Sequence, residues 1–193
     1  MFGVKNTITV SLFILLSFAA VVAQQPPPAP VAHAEAGTWV NVAPANMGFT
    51  VQMPAKPAEK SEPVQGREGV QNRLLTLETK LAGYVFSLVE FPDEISDPAV
   101  IKDMLDRGRE GGLSASGGQL KSEKEIKLDG YFGREWSIAL PQGLSATARA
   151  YWVKRRLYQT VFIMNPNAGG AMEAKLRGEA VKKFLDSFAL TGK

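Results

Sequence analysis

A chain of 193 residues, 45% hydrophobic and 21% charged, has the balance of a globular protein and the length for one domain of ordinary size. Its formal charge of +3, from 22 basic and 19 acidic side chains, is too small to predict nucleic-acid binding. There is no cysteine, and the single histidine, His33, precedes the folded region, so disulfides, thiol nucleophiles, His-ligated metals and Ser-His-Asp triads are excluded from that region by inventory.

Lys5 precedes an apolar run from Ile8 to Val22, and Val21-Val22-Ala23 supplies the small residues of a cleavage position. This predicts an export signal peptide over residues 1–23, cleaved near Ala23, with Ala32-His33-Ala34 as a second small-x-small position. Cleavage removes Lys5 and leaves a charge of +2 in a periplasmic or extracellular product. An uncleaved leader would instead hold the domain to the membrane, although the apolar run is short for a span. Residues 24–37, QQPPPAPVAHAEAG, lack apolar periodicity and read as an extended Pro/Ala-rich spacer. A single domain over residues 38–191 follows.

Trp39 to Val42 and Gly48 to Met53 read as two short strands around a turn at Ala43 to Met47, with Pro54 ending the second. Arg73, Leu75, Leu77, Thr79 and Leu81 alternate with polar neighbours, the period of a strand with one wet face. Tyr84 to Phe91 is apolar on both sides and predicts an interior strand. Asp97-Pro98 is a helix-start pair, and Val100, Ile101, Met104 and Leu105 form the apolar stripe of a helix that Gly111-Gly112 is expected to stop. The stretch from there to Gln119, rich in Gly and Ser, reads as a loop.

Four strand-like runs come next: Leu120 to Leu128, Tyr131 to Leu140, Leu144 to Val153 and Arg156 to Met164. Tight joints at Asp129-Gly130 and Lys154-Arg155 make antiparallel neighbours of each pair. Leu176, Ala180, Val181, Phe184 and Leu185 recur at helical spacing and place a helix over Met172 to Asp186. Strands and helices are segregated, so the class is α+β: an antiparallel sheet with helices packed on it.

Four landmarks add a resemblance. They are Gly48-Phe49-Thr50-Val51-Gln52-Met53-Pro54, Gly130-Tyr131-Phe132-Gly133-Arg134-Glu135, Arg149-Ala150-Tyr151 leading to Arg156-Leu157-Tyr158-Gln159, and Phe184-Leu185-Asp186-Ser187-Phe188. As a set they resemble the PsbP-like superfamily, in particular exported bacterial PsbP-like and DcrB-like domains, over Trp39 to Leu190. The resemblance implies a PsbP-like α/β/α sandwich used as an accessory or binding module, and it carries no catalytic residues over. The Lys154-Arg155 turn departs from the pattern, which more usually has a glycine pair there.

The leading candidate site is a cationic patch at the hairpin tip, Lys154, Arg155 and Arg156, with Tyr158 as aromatic contact area for an anionic partner. Strand alternation puts Tyr151 and Trp152 on opposite faces, so they cannot both join it. Asp103, Asp106 and Glu110, with Glu94 and Asp97, lack the ligand alternation of a calcium loop and read as a solvated helix face interspersed with Arg107 and Arg109. The glycines from Gly108 to Gly118 lack the Lys-Ser/Thr of a phosphate cradle. Gly169-Gly170 could open an anion pocket at the last helix, or be a plain turn. Arg134 shares a face with Phe132, Trp136 and Ile138 and should be partly buried with a partner. Glu78, Glu90 and Glu135 lie on strands without a spacing that marks a catalytic pair.

These observations predict a non-catalytic exported accessory or protein-binding module at the cell envelope, with an envelope protein as partner and neither cofactor nor metal. The alternative is an envelope ligand carrier or hydrolase with a cleft between sheet and helix, using carboxylates or Arg134.

Overall fold

The computed structural model describes residues 39–64, 66–166 and 170–191. The expected signal peptide and spacer, with His33, and Gly169 lie outside the described residues.

Seven strands form one antiparallel sheet in the order β3-β4-β5-β9-β8-β7-β6. They are β3 (Ala58–Pro63), β4 (Gln71–Glu78), β5 (Ala82–Glu90), β6 (Gln119–Leu128), β7 (Tyr131–Ala139), β8 (Ser145–Val153) and β9 (Arg156–Met164). A three-stranded sheet, β1-β2-β10, is built from β1 (Val40–Val42), β2 (Phe49–Met53) and β10 (Ala189–Leu190). Helix α1 (Pro98–Ser116) covers one face of the large sheet, and helix α2 (Ala171–Asp186) covers the other together with the small sheet. The expected α/β/α sandwich is the observed architecture.

Two cores follow from the two-residue period of the strands. Val85, Val89, Trp136, Ala146, Ala148, Trp152, Leu157 and Val161 face α1, where Ile101, Met104 and Leu105 meet them. On the opposite face Tyr84, Phe86, Leu88, Tyr151, Tyr158 and Phe162 meet Phe49, Val51 and Met53 of β2 and Phe184, Leu185 and Phe188 at the C-terminal end. Phe49 stacks on Phe86 with centroids 3.8 Å apart, and Tyr151 stacks on Phe188 at 5.6 Å. Interior strand β5 is buried on both faces, as its uniform apolarity predicts.

Several expectations need correction. Gly111-Gly112 does not stop α1, which continues to Ser116 and ends where Gly117 takes φ +64 and the Gly118 N–H bonds the Leu113 carbonyl at 3.0 Å. Gly108 and Gly112 are buried on the same stripe as Ile101, Met104 and Leu105. Packing of that stripe overrides glycine's local penalty of about 1 kcal/mol per residue, and the expected glycine-rich loop is helix. Val100 belongs to the exposed side of α1. The N-terminal end is as read, with Asp97 accepting the Ala99 N–H at 2.8 Å ahead of Pro98.

Strand β4 is not wet on one face, because Asn72 and Leu74 are buried opposite Leu75. It ends at Glu78, and the Thr79 hydroxyl then clasps the turn by accepting the Leu81 and Ala82 N–H groups and donating to the Ala82 carbonyl. Strands β3 and β10 carry no sequence signal. The first is polar, AEKSEP, and sits at the sheet edge with a Lys60–Glu62 ion pair, while the second is two residues long.

Candidate functional site

The turn between β8 and β9 is two residues long, since Val153 pairs with Arg156. Lys154 adopts φ +56, a left-handed conformation that a lysine occupies only at a cost of about 1–2 kcal/mol. Tertiary contacts hold it there. Its carbonyl accepts the indole N–H of Trp152 at 2.8 Å and the Ile95 N–H at 3.3 Å, and the next carbonyl, of Arg155, accepts the Phe91 N–H at 2.8 Å.

The four residues of the expected patch part company here. Lys154 and Arg155 are exposed at the tip. Arg155 reaches Glu90 at 2.6 Å, and Arg156 reaches the same carboxylate at 3.3 Å. Arg156 also donates to the Tyr158 hydroxyl at 3.4 Å, and that hydroxyl donates to the Met47 carbonyl at 2.9 Å. Tyr158 is only 2% exposed, so it joins β9 to the β1–β2 turn and offers no contact area to a partner. Trp152 and Tyr151 are buried on opposite faces, as the alternation requires. What remains outward is Lys154, which has no ion pair among the described residues, and Arg155, shared with Glu90.

Arg134 is buried with structural partners. Its guanidinium lies 3.2 Å from Glu123, 3.3 Å from Glu125 and 3.9 Å from Asp106, with its carbon 5.3 Å from the Phe132 ring centroid. Arg109 of α1 reaches Glu123 at 2.5 Å, Asp106 at 3.3 Å and Glu110 at 3.4 Å. These charges tie α1 to the β6–β7 hairpin. The acidic residues of α1 are thus partnered by arginines, including Asp103 by Arg107 at 2.9 Å, and no group of three metal-ligating side chains occurs among the described residues.

The strand glutamates are separated. Glu135 forms a ladder with Lys124 at 2.8 Å and Arg149 at 2.6 Å, and Arg149 reaches on to Asp186 of α2 at 2.8 Å. Burial pushes the Glu135 carboxyl up, but hydrogen bonds and charge from Lys124 and Arg149 outweigh it and hold the group below its ordinary value. Glu90 lies on β5, three strands away from β7, or roughly 14 Å at the usual strand spacing, too far for the paired carboxylates of a glycosidase. At the start of α2 the Gly170 N–H is already taken by Glu173 at 3.0 Å.

Between α1 and the sheet a cavity of about 10 Å³ is lined by Arg109, Gly112, Leu113, Trp136, Ile138 and Ala148, among others. It has room for about one water molecule and not for a substrate. The carrier or hydrolase alternative calls for a cleft between sheet and helix larger than this one.

The layers define an α+β sandwich in which an antiparallel sheet carries helices on both faces. No family model matches the sequence, and the comparison with curated proteins finds no match. Among solved structures, the chain is similar to cyanobacterial PsbP (CyanoP) from Synechocystis sp. PCC 6803, with a TM-score of 0.53 and 13% identity over 86% of this chain and 98% of that one. A protein of unknown function from Pseudomonas aeruginosa aligns over 76% of this chain and 92% of its own, at 12% identity and a TM-score of 0.43. The fold is PsbP-like, and at these identities the likeness is one of fold.

Proposed function

We propose that this chain is an exported, non-catalytic accessory domain that binds a protein partner at the cell envelope through the β8–β9 turn. The observation that carries the reading is Lys154: an exposed cation without an ion pair among the described residues, kept at a positive φ by hydrogen bonds to both turn carbonyls. Backbone strain that the surroundings over-determine is a marker of recognition sites. The apolar leader and the Pro/Ala-rich spacer support export and reach, and the narrow cavity under α1 favours a binding module over a carrier.

The test is a crosslinking pull-down of the full chain from its native envelope, run beside the Lys154→Glu/Arg155→Glu variant. Arg156 and Tyr158 are left intact because they hold the β1–β2 turn. A specific partner recovered with the wild type and reduced at least tenfold with the variant supports the reading. Equal recovery removes the tip as the contact surface.

A further inference from the structure

The β8–β9 turn takes its shape from inside the molecule. Val153 pairs with Arg156, so Lys154 and Arg155 alone make the turn, and only the first of them has a positive φ, +56. Two-residue hairpin turns of that pattern ordinarily place glycine there. A lysine keeps such a φ only where its surroundings over-determine it.

Three donors do so, all from the side of the sheet that α1 covers. The Lys154 carbonyl accepts the Trp152 indole N–H at 2.8 Å and the Ile95 N–H at 3.3 Å, and the Arg155 carbonyl accepts the Phe91 N–H at 2.8 Å. With both carbonyls held, both peptide planes of the turn are fixed. The second plane depends on Phe91. The first depends chiefly on Trp152, whose bond is the shorter and stronger of the two to that carbonyl.

Trp152 is a firm anchor point. It is 1% exposed, belongs to the same core as Ile101, Met104 and Leu105, and lies with its ring 5.0 Å from that of Phe91. The Arg67 guanidinium in turn sits 5.3 Å from the Phe91 ring centre. Ile95 packs against that core as well, and two residues later Asp97 caps α1. The tip is thus fastened to the α1-side core, whereas Arg156 and Tyr158 tie the start of β9 to the β1–β2 turn.

We infer that Trp152 is the positioning residue of the β8–β9 contact: its indole N–H holds the Lys154 carbonyl, keeps Lys154 at positive φ and so sets the direction in which the ammonium is presented. The inference rests on the turn as the contact surface and assigns the residue that shapes it. Trp152 is buried and acts only through Lys154. An indole whose N–H merely needed an acceptor would affect stability alone. A positioning indole also affects recognition, with every charge of the tip in place.

Trp152→Phe removes the N–H and keeps a ring against Phe91. A second variant, Trp152→benzothienylalanine, keeps the bicyclic ring and puts sulfur in place of the N–H. Both are made in the full chain and read in two ways: by the intraresidue HN–Hα NOE of Lys154, which is strong at positive φ, and by recovery of the crosslinked partner from the native envelope. In both variants the NOE is expected to fall toward that of residues with negative φ. Recovery should drop about three- to tenfold, the factor to which the net worth of one hydrogen bond converts. Adding Trp152→Phe to Lys154→Gly should cause no further loss, because glycine holds a positive φ unaided. A Lys154 NOE as strong in both variants as in the wild type overturns the inference. So does undiminished recovery from them while Lys154→Glu/Arg155→Glu still loses the partner, and the proposed function then stands. Effects confined to Trp152→Phe assign the role to ring packing and overturn it as well. Undiminished recovery from Lys154→Glu/Arg155→Glu removes the contact surface, and the inference with it.

Discussion

Gly133 tests how closely the sheet and its aromatic layer are fitted. It lies in β7 opposite Tyr151 of β8, and a Cβ added there would stand 2.5 Å from the Ala150 carbonyl oxygen and 2.6 Å from the Tyr151 ring. A rotamer change can move the ring but not the carbonyl. Alanine in place of glycine gains about 0.5–1 kcal/mol from backbone entropy. Against that, overpacking a close-packed site costs about 1–3 kcal/mol. Displacing Tyr151 from its stack on Phe188 adds about 0.5–1.5 kcal/mol. Gly133→Ala is therefore expected to lose about 2 kcal/mol, lowering Tm by about 4–8 °C for a domain of this size. Gly83→Ala is the control: it sits in β5 with Ile163 Cβ at 3.8 Å, an ordinary contact, and should gain a few tenths to about 1 kcal/mol. Urea unfolding with unchanged slope measures both. A Gly133→Ala protein as stable as the wild type would falsify the close approach of Tyr151 and the Ala150 carbonyl to β7.

Gly178 lies within α2 with nothing inside 4 Å of its absent Cβ, so Gly178→Ala should raise stability by about 0.5–1 kcal/mol in the same urea assay. Arg134→Met leaves the Glu123 carboxylate with Arg109 alone and should cost about 2–4 kcal/mol, part of it recovered by adding Glu123→Gln; no recovery would show that the ion pair is not the cause. In the folded protein, against the opposing effect of burial, Lys124 and Arg149 hold the Glu135 carboxyl below its ordinary range, so its contribution is present above the unfolded pKa and lost as pH falls through the folded one. The stability gap between wild type and Glu135→Gln should therefore close as pH falls below the ordinary carboxylate range, and a constant gap would contradict the ladder with Lys124 and Arg149. Lys154→Gly should raise stability by about 1 kcal/mol by relieving the positive φ while weakening partner crosslinking, two effects that a purely structural turn would not couple.

Much of the fold was legible because its signals are local. Uniform apolarity placed β5, strand-like runs with tight joints placed β6 through β9, Asp129-Gly130 marked a turn in which both residues have positive φ, and Asp97-Pro98 marked the start of α1. What escaped was set by distant partners. Strand β3 is polar because it is an edge with its charges in solvent, and β10 exists only because Thr50 and Phe49 offer it a ladder. Gly111-Gly112 read as a stop, yet the buried stripe runs on through Gly108 and Gly112 because it has a sheet to pack against.

The candidate site shows the same division more sharply. The run Lys154-Arg155-Arg156 is visible as charge in the sequence, but its neutralising group is Glu90, 65 residues earlier than Arg155, and nothing local announces that pairing. Tyr158 looks like an interface aromatic until the β1–β2 turn, 111 residues away in sequence, covers it and takes its hydroxyl. With those partners assigned, three of the four patch residues have internal work, and Arg155 is the one whose bond to Glu90 is exposed enough to exchange. Lys154 alone combines exposure, an unpaired charge and a strained backbone. The sandwich is packed on both faces and its α1-side cavity admits about one water, so the proposed contact at the β8–β9 turn is tested on the side chains left outward there, Lys154 and Arg155, without disturbing either core.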